Sequence, residues 1–157
     1  MILILMGVAG CGKTITGKAL SKKLGIPFYD ADDFHSKENK AKMARAIPLT
    51  DEDREGWLKA LAAFMQTQDE MILACSALKA SYRKTLQISP DVHFIYLKGE
   101  YNFIRSRLEK RKGHFFDPSL LQNQFMTLEE PQNCLVIDAA LPLDTIVKEI
   151  TDHLKIY

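Results

Sequence analysis

Apolar positions fall in two kinds of pattern that alternate along the chain. Five short apolar segments, Ile2–Met6, Pro27–Tyr29, Met71–Cys75, Val92–Leu97 and Cys134–Ile137, are mostly continuous. Continuous runs suit parallel strands covered on both faces. Between them the spacing turns helical. Ile15, Ala19, Leu20 and Leu24 predict one amphipathic helix, stopped by Gly25 with Pro27 beyond. Thr50-x-x-Asp53 reads as a capping box, followed by Trp57, Leu58, Leu61, Phe64 and Met65 on one face. A further helix is expected to start near Tyr101. Leu143, Ile146, Val147, Ile150 and Leu154 predict a closing one. Strands alternating with helices imply a three-layer α/β domain with a parallel sheet. No repeat, linker or low-complexity tract divides the chain, so a single domain over residues 1–157 is expected.

The first strand runs directly into Gly7-Val8-Ala9-Gly10-Cys11-Gly12-Lys13-Thr14, the pattern G-x-x-x-x-G-K-[ST] of a phosphate-binding P-loop. Glycines let successive backbone N–H groups curl around an anion, and the helix that follows adds its positive end. Lys13 then reaches the β- and γ-phosphates of a nucleotide, and Thr14 supplies a Mg²⁺ ligand. The strand-loop-helix context makes ATP or a related nucleotide the expected ligand.

In parallel α/β sheets, ligands gather outside the carboxyl ends of the strands. The P-loop, Asp30-Ala31-Asp32-Asp33, Cys75-Ser76 and Lys98-Gly99 are therefore expected to face one cleft. Carboxylates beside a phosphate site hold Mg²⁺ or accept the proton of an attacking hydroxyl. If Asp30 ends its strand, Asp30 and Asp32 share a side. This assigns Asp30 to the Mg²⁺ shell and Asp32 to the acceptor hydroxyl. Capping a helix is the competing role for these acids, above all for Asp33. His35 stands next to this corner, as a substrate hydrogen-bond donor or as a structural histidine.

Arg105, Arg107, Lys110, Arg111 and Lys112 form a basic cluster, with Arg107 and Arg111 on one helical face. Such arginines stabilise the charge spread over a transferred phosphoryl group, or else form a solvated face. Gly113-His114-Phe115-Phe116 after them suits the hinge of a lid. Lys79 and Arg83, past the third strand, suit an anionic substrate or a surface helix.

Bulk properties change little in this picture. The chain has 157 residues, 46% hydrophobic and 26% charged, with a net charge of +1. Neither nucleic acid nor a membrane surface is an expected partner, and no apolar run is long enough for a bilayer. The first apolar run lacks a basic leader and is expected to be a strand, not a signal peptide. Cys11, Cys75 and Cys134 have no paired spacing, which fits a reduced, cytoplasmic protein. Cys11 reads as a small residue filling its loop position.

Several words of the sequence together resemble the thermoresistant-type gluconokinases. They are Asp32-Asp33-Phe34-His35, Asn39-x-x-Lys42-Met43, Ile47-Pro48-Leu49-Thr50-Asp51-Glu52-Asp53-Arg54 with Trp57-Leu58, and Ala74-Cys75-Ser76-Ala77-Leu78-Lys79 with Tyr82-Arg83. Tyr96-Leu97-Lys98-Gly99, Arg111-Lys112-Gly113-His114-Phe115 and Gln124-Phe125-x-Thr127-Leu128-Glu129-Glu130-Pro131 continue it to about Pro142. The resemblance implies a P-loop kinase fold with strand order 2-3-1-4-5 and a helical lid at about 107–130. It implies transfer of phosphate from ATP to D-gluconate with Mg²⁺, giving 6-phospho-D-gluconate, commonly by a homodimer. On the same grounds Asp32 contacts the accepting hydroxyl and Lys13 and Arg111 assist transfer. Arg54, Lys79 and Arg83 receive the substrate carboxylate, Arg107 and Arg111 serve ATP, and His114 and Gln124 lie in the lid. The chain departs from the family pattern at Cys11 (commonly Ser), Ile15 (Thr), Ala46 (Gly) and Gln87 (Arg). A shikimate kinase would carry a triple-glycine turn where this chain has Cys75-Ser76-Ala77. A nucleoside monophosphate kinase would need a second base pocket, and a non-catalytic nucleotide-binding module would not need Lys13, Thr14 and Asp32 together.

Overall fold

The computed structural model describes residues 1–111 and 117–155. Its centre is a five-stranded, wholly parallel sheet of β1 (Ile2–Met6), β2 (Phe28–Asp30), β3 (Met71–Ala74), β4 (Val92–Lys98) and β5 (Leu135–Asp138). The order across the sheet is β2-β3-β1-β4-β5, as the resemblance implied. β1 coincides with its apolar segment and β3 ends one residue before Cys75, while β2, β4 and β5 end one residue later than theirs, because polar Asp30, Lys98 and Asp138 complete ladder positions that hydropathy alone does not mark. β1 lies between β3 and β4, with Leu3 paired to Ile72 on one side and His93 on the other.

Every residue of β1 is buried, and the two-residue period of a strand divides them between two cores. Leu3 and Leu5 join Ile72, Ile95 and Leu97 beneath helices α1 (Lys13–Leu24), α5 (Tyr101–Glu109) and α7 (Leu143–Leu154). Ile2, Ile4 and Met6 join Met71, Leu73 and Tyr96 on the other face, under α3 (Asp51–Gln66) and α4 (Ala80–Leu86). From α3 come Trp57, Leu58, Leu61 and Met65, the stripe expected from its spacing. The Thr50–Asp53 capping box is formed in both directions. Two helices not anticipated from periodicity, α2 (Lys37–Ala44) and α6 (Pro118–Thr127), complete the fold; their ends are set by Ser36 and Asp117 as side-chain caps.

The face of α1 differs from expectation. Its buried residues are Thr16, Gly17 and Leu20, while Ile15 is 60% exposed and Leu24 stands at the surface. The reason is Gly17. A Cβ there would lie 2.3 Å from Phe28 Cε1, so α1 approaches β2 through a bare backbone, and this contact sets the helix's rotation. Ile15 is thereby turned toward the cleft.

Two non-glycine residues take positive φ: Ala46 (58°) and Ala77 (45°). Ala46 follows the end of α2, where its N–H donates to Met43 O. Its positive φ fits the glycine that the resemblance implies at this position. Ala77 is fully buried in the turn after β3.

Ala46→Gly should raise stability by about 0.5–1 kcal/mol, relief of the left-handed strain exceeding the extra unfolded-state entropy of glycine; an unchanged or lower urea midpoint would refute this. Gly17→Ala should lower stability by ~1–3 kcal/mol through overpacking against Phe28, read as a reduced thermal midpoint.

Candidate active site

The strand ends open into one cavity of about 820 Å³. That is within the usual range of small-molecule sites, roughly 300–1,000 Å³. Its floor is the P-loop from Ala9 to Thr14. One wall carries Asp30, Asp32, His35, Arg54 and Trp57; the other carries Arg107, Arg111, Gln124 and the segment after β5 at Ala139 and Leu141. Ser76 reaches it from the turn after β3. Lys98 and Gly99 do not border it, contrary to the expectation of four corners. A Cβ on Gly99 would lie 2.6 Å from Ile104, so this corner is filled by α5, and the segment after β5 borders the cavity instead.

The P-loop has the left-handed turns its glycines permit. Gly12 caps α1 with φ 99° and Gly7 leaves β1 with φ 146°. Side chains would be unwelcome at Gly7 for a second reason: a Cβ would meet Cys11 Sγ at 2.7 Å and Leu97 O at 2.8 Å. Cys11 is buried beneath Gly7, as a small residue filling the inside of the loop. The loop is tied to the rest of the cleft by hydrogen bonds from Gly7 N to Ser76 O (3.3 Å) and Ala9 N to Gln124 Oε1 (2.7 Å). Lys13 Nζ donates to Gly7 O (2.9 Å) and Val8 O (3.0 Å), so its ammonium lies over the loop that would hold phosphate. Gly7 and Val8, expected at the nucleotide, do not border the cavity; Val8 is buried with the core, and its carbonyl accepts from Cys11 N and Lys13 Nζ.

Asp30 ends β2, and Asp32 lies in the single 3₁₀ turn Ala31–Phe34 that follows. Asp30 caps this turn: its Oδ1 accepts from Asp32 N at 2.9 Å. The capping role therefore falls to Asp30, not Asp33. Its other oxygen, Oδ2, accepts from Thr14 Oγ1 at 3.5 Å. The Asp32 side chain is exposed and borders the cavity. Crowding by the cleft still thins the water around it and raises its carboxyl above the ordinary range; Asp30 and Asp33 add to this, and Lys13 opposes it.

His35 is 8% exposed and lies flat on Trp57, with ring centroids 4.2 Å apart and planes 14° apart. Trp57 is itself fixed by Nε1 donating to Ala31 O at 2.7 Å. Burial, with Arg54 and Lys40 nearby, lowers the His35 imidazole to about 4. It is neutral at physiological pH.

The cations divide into two groups. Arg54 borders the cavity, with Nη1 donating to Leu49 O (2.8 Å) and Tyr82 Oη (3.1 Å). Lys79 is paired with Asp51 at 2.9 Å, and Tyr82 also donates to Asp51. Arg83 donates to the carbonyls of Ala77, Leu78 and Glu129, bracing the left-handed turn that carries Ser76. Neither Lys79 nor Arg83 borders the cavity. Arg107 bridges Gly10 O (3.1 Å) and Ala139 O (3.2 Å) and stacks on Phe103 at 4.6 Å. Arg105 pairs with Glu109 on the outer face of α5. Arg111 follows the end of α5 and borders the cavity. His114 and the hinge expected at Gly113–Phe116 lie outside the described residues.

Gly17, Tyr82 and Asn39 position site elements without belonging to any chemical motif, and periodicity gave no signal for them. Only the resemblance words containing Asn39 and Tyr82 pointed there.

Comparison with known proteins agrees with this geometry. A family model described as shikimate kinase matches residues 9–153. The chain is 42% identical to the thermoresistant gluconokinase of Escherichia coli (strain K12), across 98% of this chain and 93% of that protein. It is also 42% identical to the probable gluconokinase of Xenopus tropicalis, across 96% of this chain and 91% of that one. The crystal structure of a gluconokinase from Sinorhizobium meliloti 1021 superposes with a TM-score of 0.87 at 40% identity, covering 94% of this chain and 87% of that chain. The chain belongs to the shikimate kinase family of P-loop kinases and, within it, to the gluconokinases.

Proposed function

We propose that this kinase transfers the γ-phosphoryl group of ATP to the 6-hydroxyl of D-gluconate, giving ADP and 6-phospho-D-gluconate. One observation carries the reading: a P-loop with its lysine and an acidic corner at Asp32 share a cavity whose acceptor wall also presents Arg54. An acceptor with a carboxylate at one end and a hydroxyl at the other matches a wall with a guanidinium and a carboxylate.

The residues divide the work by position. Backbone N–H groups of Gly10, Gly12, Lys13 and Thr14 hold the phosphates, those of Gly7, Ala9 and Cys11 being used within the fold, and Lys13 neutralises charge on the β- and γ-groups. Asp32 orients the acceptor hydroxyl and takes its proton as the oxygen attacks phosphorus and the bond to ADP breaks. Arg54 receives the substrate carboxylate. Arg107 and Arg111 border the nucleotide side, where Arg107 also fastens the P-loop to the segment after β5. Gln124 orders the loop through Ala9 N.

Mg²⁺ belongs to this reading. Thr14 Oγ1 and Asp30 Oδ2, 3.5 Å apart beside the loop, are hard oxygen donors of the kind it prefers. Among the described residues no group of three or more His, Cys, Asp or Glu could hold a metal. Mg²⁺ in kinase sites is held mainly by phosphates and water, with one or two protein oxygens. When bound, it adds positive charge at the phosphate oxygens.

A cytoplasmic homodimer completes the proposal, supported by the family resemblance and by free thiols at Cys11, Cys75 and Cys134. Among the described residues no helix is long and apolar enough to cross a membrane.

ADP release should be stimulated by D-gluconate well above related aldonates and shikimate, with ATP and Mg²⁺ present; no stimulation by any sugar acid would end this reading. Asp32→Asn should lower kcat at least ~10²-fold with ATP still bound, as expected for a positioned base. Arg54→Gln should raise KM for gluconate by about tenfold or more while KM for ATP stays within about twofold, the signature of a lost charge-assisted contact to the acceptor alone.

A further inference from the structure

Asn39 is 5% exposed, does not border the cavity, and ties α2, on which it lies, to α3. Its backbone N–H donates to the Ser36 cap at 3.1 Å. Its side-chain Nδ2 lies 2.8 Å from Asp53 O and 3.2 Å from His35 Nδ1. The carbonyl of Asp53 can only accept, so the amide must present its NH₂ there; the flipped amide would set two acceptors against each other. One amide hydrogen goes to Asp53 O. The other faces His35 Nδ1, which must be bare to accept it. A neutral imidazole has one N–H, and here it is on Nε2. An imidazolium, with N–H at both positions, does not fit. The nearby cations Arg54 and Lys40, with burial, also favour the neutral ring.

The remaining edge of the ring opens to the cavity. His35 borders it, and among the described residues no buried side-chain nitrogen or oxygen lacks a partner. Since Nδ1 is taken by Asn39 and the ring face by Trp57, Nε2 is the atom left to face the cleft.

We infer that Asn39 is a positioning residue that fixes His35 as the Nε2–H tautomer, so that the acceptor wall offers an uncharged donor to a hydroxyl oxygen of the substrate. This rests on the reading of the acceptor as a polyhydroxy acid. Arg54 then remains the charged contact for the carboxylate, and His35 distinguishes a hydroxyl oxygen presented at its own position. A protonated ring would instead add a second cation that could take the carboxylate in the wrong orientation.

Long-range ¹H–¹⁵N correlation spectra of histidine-labelled protein test the assignment, with the His35 signals identified by their loss in His35→Gln. The Nε2–H pattern should persist from pH ~8 to ~5, where a free histidine would already be protonated. An Nδ1–H pattern, or an imidazolium at neutral pH, overturns the inference. Asn39→Asp replaces the donor by an acceptor of the same size. It should move the His35 proton to Nδ1 or charge the ring, and raise KM for D-gluconate about tenfold with KM for ATP within about twofold. A switched tautomer with unchanged KM for gluconate would remove the substrate role. Parallel losses for both substrates with the Nε2–H pattern retained would show packing alone. Should Asn39→Asp not fold, the wild-type spectrum decides. If no sugar acid is phosphorylated, the acceptor reading fails while the tautomer remains measurable in the same protein.

Discussion

The burial of β1 on both faces is the constraint on which the site depends. Leu3, Ile4, Leu5 and Met6 have no exposed surface, so the strand cannot shift by one residue without exchanging the contents of the two cores. Its register with β3 and β4 is therefore fixed, and so is the point at which Gly7 leaves the sheet. The whole P-loop, Lys13 and Thr14 included, is launched from that point. The neighbouring turn is set by the same ladder: Cys75 N donates to Leu5 O, and Ser76 O then meets Gly7 N.

Much of this was legible because it depends on local rules. The P-loop needs glycine where φ is positive, the capping box needs Thr50 and Asp53 three apart, and α3 shows its stripe because one face is buried and the other solvated. Other features were hidden because they depend on partners distant in sequence. Ile15 fits an apolar stripe by spacing, but Gly17 against Phe28 decides which face of α1 is inside. The sharing of a side by Asp30 and Asp32 presumed a continuing strand; a 3₁₀ turn intervenes, and Asp30 caps it while keeping an oxygen toward Thr14. Lys79 and Arg83 look like Arg54 in sequence. Only the fold shows that Asp51 and three carbonyls occupy the first two, while Arg54 keeps its place on the cavity wall.

The same division explains how a cavity with many charged neighbours keeps a simple character. Asp53 is held by Lys42 and by Thr50 N, which lower its carboxyl to about 2. Lys79 and Tyr82 hold Asp51 in the same direction. Because a carboxyl depressed on folding stabilises above its unfolded value and loses that contribution as pH falls through its folded one, both pairs act as structural ties over the whole neutral range. They brace α3 against α2 and α4, leaving Asp30, Asp32, His35 and Arg54 as the ionisable groups of the acceptor wall that border the cavity.

β2 is only three residues long and lies at the sheet edge, bonded to β3 alone. The P-loop issues from the innermost strand, while Asp30 and Asp32 issue from this short margin. The two halves of the site thus differ in how deeply they are rooted. Amide protons around β1 are therefore expected to exchange only with global opening, and those at the acidic corner through a smaller, local release of the edge. Under the proposed function, a site built this way roots its nucleotide cradle in the centre of the sheet and its acceptor side at the margin, where substrates of differing shape must be told apart.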